Sequence, residues 1–214
     1  MGLALEAKQP DWWKQYADAG HIQYVPYLGL EGDATAITSF AAFYMTAMLQ
    51  TADYAEAIIK GIAPKMTRDV LKDRVELRLR RQQWLEEDNP PRYRVLIDEA
   101  VLHRPTGGPA VMAAQIDKIL RLSEEGKVAA QIVPFDIGVL ASRDSNFVML
   151  EFREAELSSI VFVESLRNSL ILEKAEDVAR HREAIESLRN SALTPEETGI
   201  RLNQWRETYE GDNR

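Results

Sequence analysis

The alternation of strand-like and helix-like segments from residue 92 onward constrains the fold more than any other feature of the chain. RYRVLIDEA (92–100) is a compact β-rich run, and KVAAQIVPF (127–135) is a second strand that Pro134 breaks. PAVMAAQIDKILRLSEEG (109–126) lies between them, with proline at its start and glycine at its end, as is typical of a helix. NFVMLEF (146–152) and SIVFVE (159–164) alternate as sheet strands do.

Two helices are predicted to close the chain, at residues 176–193 and 194–209. The second begins with a capping box, in which Thr194 is the N-cap residue, Pro195 follows it, and Glu197 is the third helical residue. Together with the strands, these helices predict an α/β (α+β) fold, in which a mixed β-sheet is covered by helices.

Residues 1–90 are expected to form a mostly helical N-terminal lobe that packs on an α/β lobe, residues 91–214, as one compact unit. Helices are predicted at 10–20, at 46–61 where Gly61 would close the helix, and at 68–87 after a Thr67 N-cap. AITSFAAFYM (36–45) fits either a strand or the start of a helix.

The composition excludes several kinds of chemistry. The chain has no cysteine, which excludes disulfides, thiolate catalysis and Cys-ligated zinc. Its three histidines, at 21, 103 and 181, lack the close spacing of a metal motif. We therefore expect no metal and no cofactor.

Charge and hydropathy exclude two further classes of partner. The net charge of −8 argues against direct binding to nucleic acid, which needs a basic surface. No apolar run approaches the roughly 18–20 residues of a membrane span, and the first residues lack the pattern of a signal peptide. The expected location is the cytoplasm.

The stretch LIDEAVLHRPTGGPAVM (96–112) is either the edge of an active site or a structural turn. Asp98 and Glu99 end a strand where α/β sheets commonly open a cleft, so Glu99 is a candidate general acid or base. Capping of the turn, or an ion pair with Arg104, explains them equally. His103 is a second candidate because histidine titrates near neutrality.

Glu164 is the third catalytic candidate. It ends the apolar run VFVE and is expected at the edge of the core. A buried carboxylate needs a partner, for which Arg104, Arg143 and Arg167 are the candidates, and an ion pair would then be purely structural.

Aromatic and methionine residues near positions 40–54 indicate either core packing or an apolar ligand pocket between the two lobes. Residues near 96–104 would form its other side. The predicted pocket residues are Trp13, Phe40, Phe43, Tyr44, Met48, Gln50 and Tyr54.

The order and spacing of several segments resemble one known family. These segments are QPDWWKQY, LGLEGDATAI, MLQTADYA, VLIDEAVLHRPTGGPAVMAAQI, QIVPF, FVMLEF, VFVE and REAIESLRNSALTPEET. They resemble the domain of unknown function that follows a xenobiotic-response-element-type helix-turn-helix in many actinobacterial transcription regulators. The resemblance implies a regulatory domain that binds a small hydrophobic molecule or a small acidic protein partner. It implies no catalytic residues.

Two departures from the family pattern affect the interpretation. The helix-turn-helix is absent from the sequence, so the chain is not expected to read DNA by itself. The family's Val-Pro-Gly-Leu stretch is replaced by Met45-Thr46-Ala47-Met48, which substitutes flexible methionines for a rigid turn and would reshape a pocket.

Three functions stay open at this point. The first is a ligand- or partner-binding domain of a transcription regulator. The second is a cofactor-free enzyme that cyclises or isomerises a hydrophobic natural-product intermediate, mainly by holding it in a reactive conformation. The third is a protein–protein module, and a homodimer also stays open.

Overall fold

A six-stranded mixed sheet forms the centre of the molecule. The computed structural model describes residues 24–138, 145–153, 159–164 and 169–212. The strand order is β3-β2-β1-β4-β5-β6, with β1, β2 and β3 parallel and β4, β5 and β6 added antiparallel on the other side of β1. The strands are β1 (Ala36–Ala41), β2 (Arg92–Asp98), β3 (Val128–Val133), β4 (Asn146–Glu151), β5 (Ile160–Glu164) and β6 (Ser169–Leu172).

Helices connect and cover the strands, which confirms the predicted fold class. They are α1 (Tyr24–Asp33), α2 (Ala52–Ile62), α3 (Arg68–Arg81), α4 (Glu99–His103), α5 (Pro109–Glu124), α6 (Ala175–Ser191) and α7 (Pro195–Gly211). The capping box of α7 is present as predicted: the Thr194 side chain accepts from the Glu197 backbone, and the Glu197 side chain accepts from the Thr194 backbone.

Two predicted helix boundaries were wrong. The helix predicted from residue 46 begins at Ala52, because the Thr51 side chain accepts a hydrogen bond from the Tyr54 N–H and caps the helix there. A separate 3-10 turn, Ala47–Leu49, precedes it. The helix predicted over 68–87 ends at Arg81 and continues as a 3-10 turn, Gln82–Glu86. The helix predicted at residues 10–20 lies outside the described residues.

Each face of the sheet carries its own core. Side chains alternate along a strand, so neighbouring residues of β1 face opposite sides: Ile37 belongs to one apolar cluster and Phe40 to the other. The first cluster includes residues of α1, α2, α5 and α7, and the second includes Val178, Ile185 and Leu188 of α6. Helices therefore cover both faces of the sheet.

β1 joins the two parts of the chain that were expected to form two lobes of one compact unit. The segment 36–45, which fitted either a strand or a helix start, contains β1, and β1 pairs with β2 on one side and β4 on the other. Residues on both sides of position 90 thus build one sheet. None of the described helices combines the length and hydropathy that a membrane span requires.

Candidate ligand pocket

A pocket opens near the carboxyl end of β1, at the seam where the parallel and antiparallel halves of the sheet meet. The chain runs from β1 to β2 and β3 on one side and resumes with β4 on the other side of β1. Crevices at such reversals of strand order are the usual ligand sites of open α/β sheets. The cavity itself is small, with about 40 Å³ available to the centre of a water molecule. It is lined by Tyr27, Glu31, Ser39, Phe40, Tyr44, Thr46, Ala47, Met48, Gln50, Arg78, Arg81, Tyr93, Asn146, Phe147, Val148, Phe162 and Glu164.

One pair of stacked aromatic rings forms part of the pocket wall. The rings of Tyr27 from α1 and Phe162 from β5 are stacked, with centroids 4.1 Å apart. Phe40 and Phe147, on neighbouring strands, have centroids 5.7 Å apart, but their rings belong to the core on the other face of the sheet, against α6. Tyr27, Phe40, Phe147 and Phe162 are all buried. The wall is thus preformed by core residues, which suits a flat apolar ligand.

A buried ion pair lies in the wall beneath α1. Arg81 donates from Nε to Glu31 Oε2 and from a terminal nitrogen to Glu31 Oε1, both at 2.7 Å. The Tyr27 hydroxyl donates to the same Oε1 at 2.6 Å. The Arg81 and Glu31 side chains are 3% and 1% exposed. The two charges compensate each other in this bidentate geometry, so the pair adds polarity without net charge.

Tyr93 is the centre of a hydroxyl cluster. Its phenolic oxygen lies 2.8 Å from Ser39 Oγ and 2.9 Å from Thr46 Oγ1. Burial raises the pKa of Tyr93 to about 12, although its hydrogen bonds with Ser39 and Thr46 act in the opposite direction. Tyr93 therefore keeps its proton at neutral pH and serves as a neutral hydrogen-bonding group.

Gln50 carries a buried acceptor without a partner. Its Nε2 donates to the Met45 carbonyl at 2.6 Å, and the residue is 1% exposed. Within the described part of the chain, no donor reaches its Oε1. A buried polar atom left in this state costs free energy, and such atoms are uncommon in folded proteins.

The mouth of the pocket is shaped by Asn146 and Tyr44. Asn146 Oδ1 accepts from the backbone N–H groups of Ala42 and Phe43, at 2.7 and 3.1 Å, and so fixes the chain as it leaves β1. The Tyr44 hydroxyl donates to Glu164 Oε2 at 3.3 Å. Glu164 is exposed, which corrects the expectation of a buried carboxylate at the edge of the core.

The structure brings together part of the predicted pocket. Phe40, Tyr44, Met48 and Gln50 line it. Phe43 does not: it is 45% exposed, and the Arg104 guanidinium lies over its ring, 5.9 Å from the centroid.

Two further predicted pocket residues lie elsewhere. Tyr54 is buried in the core, and its hydroxyl accepts from the Met45 N–H at 3.1 Å. Trp13 lies outside the described residues.

The stretch 96–104 does not line this pocket, which corrects the expected position of its second wall. Asp98 instead caps α4 by accepting from the Ala100 N–H at 2.9 Å. Glu99 pairs with Arg201 at 2.5 Å, not with Arg104, and accepts from the Phe135 N–H at 3.0 Å.

His103 is exposed at the end of α4. Its ring lies 4.4 Å from that of Trp205 and 4.9 Å from that of Phe135, measured between centroids. His103 and Glu99 thus lie among residues of α7 and the loop after β3, apart from the residues that line the pocket.

Sequence reasoning missed most polar residues of the pocket. Arg81 was not predicted as a pocket residue, although Arg74, Arg78 and Arg81 share one face of the helix that contains them. Glu31, Tyr93, Asn146 and Phe162 carry no local signal, since only the order of strands brings them together. Within the described ranges, no three His, Asp or Glu side chains lie close enough to hold a metal ion.

A half-buried lysine supports the backbone that lines the pocket. Lys118 of α5 donates to the Gln50 carbonyl at 2.9 Å and to Gln82 Oε1 at 2.5 Å. Gln82 Nε2 in turn donates to the carbonyls of Ala47 and Gln50, at 2.8 and 2.9 Å. These side chains fix the backbone that carries Ala47, Met48 and Gln50. Burial, followed by the charge of Arg121, lowers the pKa of Lys118 to about 8, against an opposing effect of Glu86.

We expect this lysine to make stability depend on alkaline pH. Below pH 8, Lys118 is protonated in both the folded and the unfolded protein, and the folded protein bears the cost of burying the charged ammonium. Between pH 8 and 10.5, Lys118 has lost its proton in the folded protein but keeps it in the unfolded protein. Stability should therefore rise with pH in that window, by about 1 kcal/mol once solvent screening is counted. Urea unfolding across the window should show the rise in the native chain but not in Lys118→Arg, whose guanidinium stays charged. Parallel pH profiles of the two proteins would contradict the assignment.

Comparison with known proteins identifies one family. The model of a family described as "Domain of unknown function (DUF5753)" matches residues 24–204. Neither the curated proteins nor the solved structures include a match.

Proposed function

The chain belongs to the DUF5753 family, and from that premise we propose that it is a small-molecule-binding regulatory domain of a transcription regulator. The observation that carries the proposal is the pocket at the β1–β4 seam. It combines stacked aromatic walls with fixed polar groups, the usual composition of a small-molecule site.

The polar groups of the pocket support binding more than catalysis. Glu31 and Arg81 hold each other in a bidentate pair, and Tyr93 keeps its proton at neutral pH. Neither arrangement offers a group poised to exchange a proton with a substrate near neutrality. These groups can instead fix the orientation of a ligand.

The hydrogen bonds that hold the pocket backbone suggest how ligand binding could affect a partner domain. The 3-10 turn Ala47–Leu49 lines the pocket. Gln82, which directly follows α3, donates to the Ala47 and Gln50 carbonyls, and Lys118 of α5 donates to the Gln50 carbonyl. A ligand that favours one position of the turn would change the relative stability of two arrangements of these helices. A DNA-binding domain on the same or a neighbouring chain would sense that change.

Filling the pocket tests the proposal. Ala47 lines the pocket and is half-buried, so Ala47→Trp should place an indole in the cavity and exclude the ligand. Molecules that co-purify with the native chain would be identified by mass spectrometry, and their affinity measured by calorimetry. We expect the affinity for the ligand to fall at least about 100-fold in Ala47→Trp, since the indole and the ligand cannot occupy the same volume.

Ala114→Trp is the matched control. Ala114 is exposed on α5 and does not line the pocket, so the variant should bind as the native chain does. Equal binding by native chain and Ala47→Trp would overturn the proposal. A ligand that the native chain returns chemically altered would support an enzyme instead.

A further inference from the structure

We propose that Lys118 is a covalent attachment site, at which an aldehyde with a small aromatic body is held as an imine in a second cavity. The site goes beyond the proposed function, because Lys118 does not line the pocket at the β1–β4 seam. In the second cavity, about 160 Å³ is available to the centre of a water molecule. It is lined by Met48, Leu79, Gln82, Gln83, Leu85, Glu86, Lys118, Arg121 and Leu122.

The second cavity has the size and the walls for one aromatic ring. Four of its lining residues are apolar, namely Met48, Leu79, Leu85 and Leu122. An apolar cavity of about 150 Å³ is large enough to bind benzene. The walls therefore favour a ring-sized apolar body, and Lys118 places an amine beside it.

The hydrogen bonds of Lys118 suit a neutral amine. Its Nζ donates to the Gln50 carbonyl at 2.9 Å and to Oε1 of Gln82, itself a lining residue, at 2.5 Å. An ammonium has three N–H groups, and no acceptor in the described part of the chain meets the third. Loss of that proton breaks neither bond and leaves a lone pair, the form in which lysine acts as a nucleophile.

The surroundings of Lys118 also favour the uncharged form. Burial, followed by the charge of Arg121, lowers the pKa of Lys118 to about 8, against the opposing charge of Glu86. Arg121 and Glu86 are the other charged residues of the lining. At pH 7.5 about a quarter of Lys118 is therefore neutral, compared with about one part in a thousand for a lysine of ordinary pKa.

Imine formation at Lys118 needs no further reagent. The Nζ lone pair attacks the aldehyde carbon, the carbonyl π electrons pass to oxygen, and a proton moves from nitrogen to that oxygen. The carbinolamine then loses water and leaves a C=N bond, so amine and aldehyde yield imine and water. An imine nitrogen carries at most one hydrogen, so attachment would break at least one of the bonds to Gln50 and Gln82 that hold the pocket backbone.

Benzaldehyde with sodium cyanoborohydride tests the site, because the reductant converts an imine into a stable benzylamine. Peptide mass spectrometry would measure the rate at each lysine of the native chain at pH 7.5, with Lys65, exposed and outside the cavity, as internal reference. We expect Lys118 to react at least about tenfold faster than Lys65, since the lower nucleophilicity of a weaker base offsets only part of its larger neutral fraction. The rate at Lys118 should level off as benzaldehyde is raised, whereas the rate at Lys65 should rise in proportion.

A matched pair of variants tests the cavity. Leu79 lines it and is 37% exposed, so Leu79→Trp should fill it and slow the reaction of Lys118 at least about tenfold. Ile200→Trp is the control, because Ile200 is exposed on α7 and does not line the cavity. Circular dichroism would check that each variant folds, and the rates measured on the native chain stand whether or not the variants fold.

The outcomes are distinct from those for the proposed function. Reaction of Lys118 no faster than that of Lys65 would overturn the attachment site. A rate at Lys118 that rises in proportion to benzaldehyde, or that is unchanged in a folded Leu79→Trp, would overturn it as well. A rate that levels off and falls in Leu79→Trp alone supports it, whatever Ala47→Trp shows for the pocket at the β1–β4 seam.

Discussion

Substitution of Arg81 by Met is expected to lower the free energy of unfolding by about 3–5 kcal/mol, because it leaves the Glu31 carboxylate buried without its partner. Glu31 is 1% exposed and receives both of the short bonds that Arg81 donates. The Tyr27 hydroxyl would be its only remaining donor among the bonds described above. Urea unfolding followed by circular dichroism would measure the loss.

Two controls show whether burial causes the loss. The double variant Glu31→Gln with Arg81→Met should recover much of the stability, since no charge is then left in the core. Lys60→Met breaks an ion pair with Glu56 whose side chains are 60% and 44% exposed, and should cost less than about 1 kcal/mol. If Arg81→Met lowered the free energy of unfolding no more than Lys60→Met does, the Glu31–Arg81 pair would not be buried as described.

Replacement of Phe162 by Ala should lower the free energy of unfolding by a similar amount, about 3–5 kcal/mol. Phe162 is 3% exposed and stacks on Tyr27, so its removal leaves a void next to the pocket. Apolar voids of this kind bind benzene. We therefore expect benzene to raise the melting temperature of Phe162→Ala more than that of the native chain, as measured by calorimetric scanning.

Phe135→Ala is the matched control for this variant. Phe135 is 48% exposed, so the same deletion should cost far less and create no binding site for benzene. A small loss in Phe162→Ala, together with no response to benzene, would place Phe162 outside the packed wall of the pocket.

Most of the sheet could be predicted because its strands have local patterns. β2, β3, β4 and β5 are apolar or alternating runs bounded by turns, and α5 begins and ends with residues typical of helix ends. β6 was missed because its sequence, SLIL, has four residues and no alternation. The start of α2 was placed too early because the apolar residues of the preceding 3-10 turn fit the helical period.

The pocket was only half predictable, for a physical reason. Phe40, Tyr44, Met48 and Gln50 lie close together in sequence, so one local pattern contains them all. Tyr93, Asn146, Phe147 and Phe162 join them through strand pairing, and no local pattern states which strand pairs with which. The candidate cleft was accordingly placed at the end of β2, whereas the strand order reverses at β1.

The position of β1 also determines when the pocket can exist during synthesis. Asn146 Oδ1 binds the Ala42 N–H across 104 residues of sequence. The parallel half, β1 to β3, can assemble on the ribosome while the β4 side of β1 is still an open edge, the kind of edge that recruits foreign strands. The emergence of β4 closes this edge, and β5, which carries Phe162, then completes the pocket wall. A ligand of the kind proposed above for this pocket would therefore bind, and stabilise against unfolding, only chains in which this wall has formed.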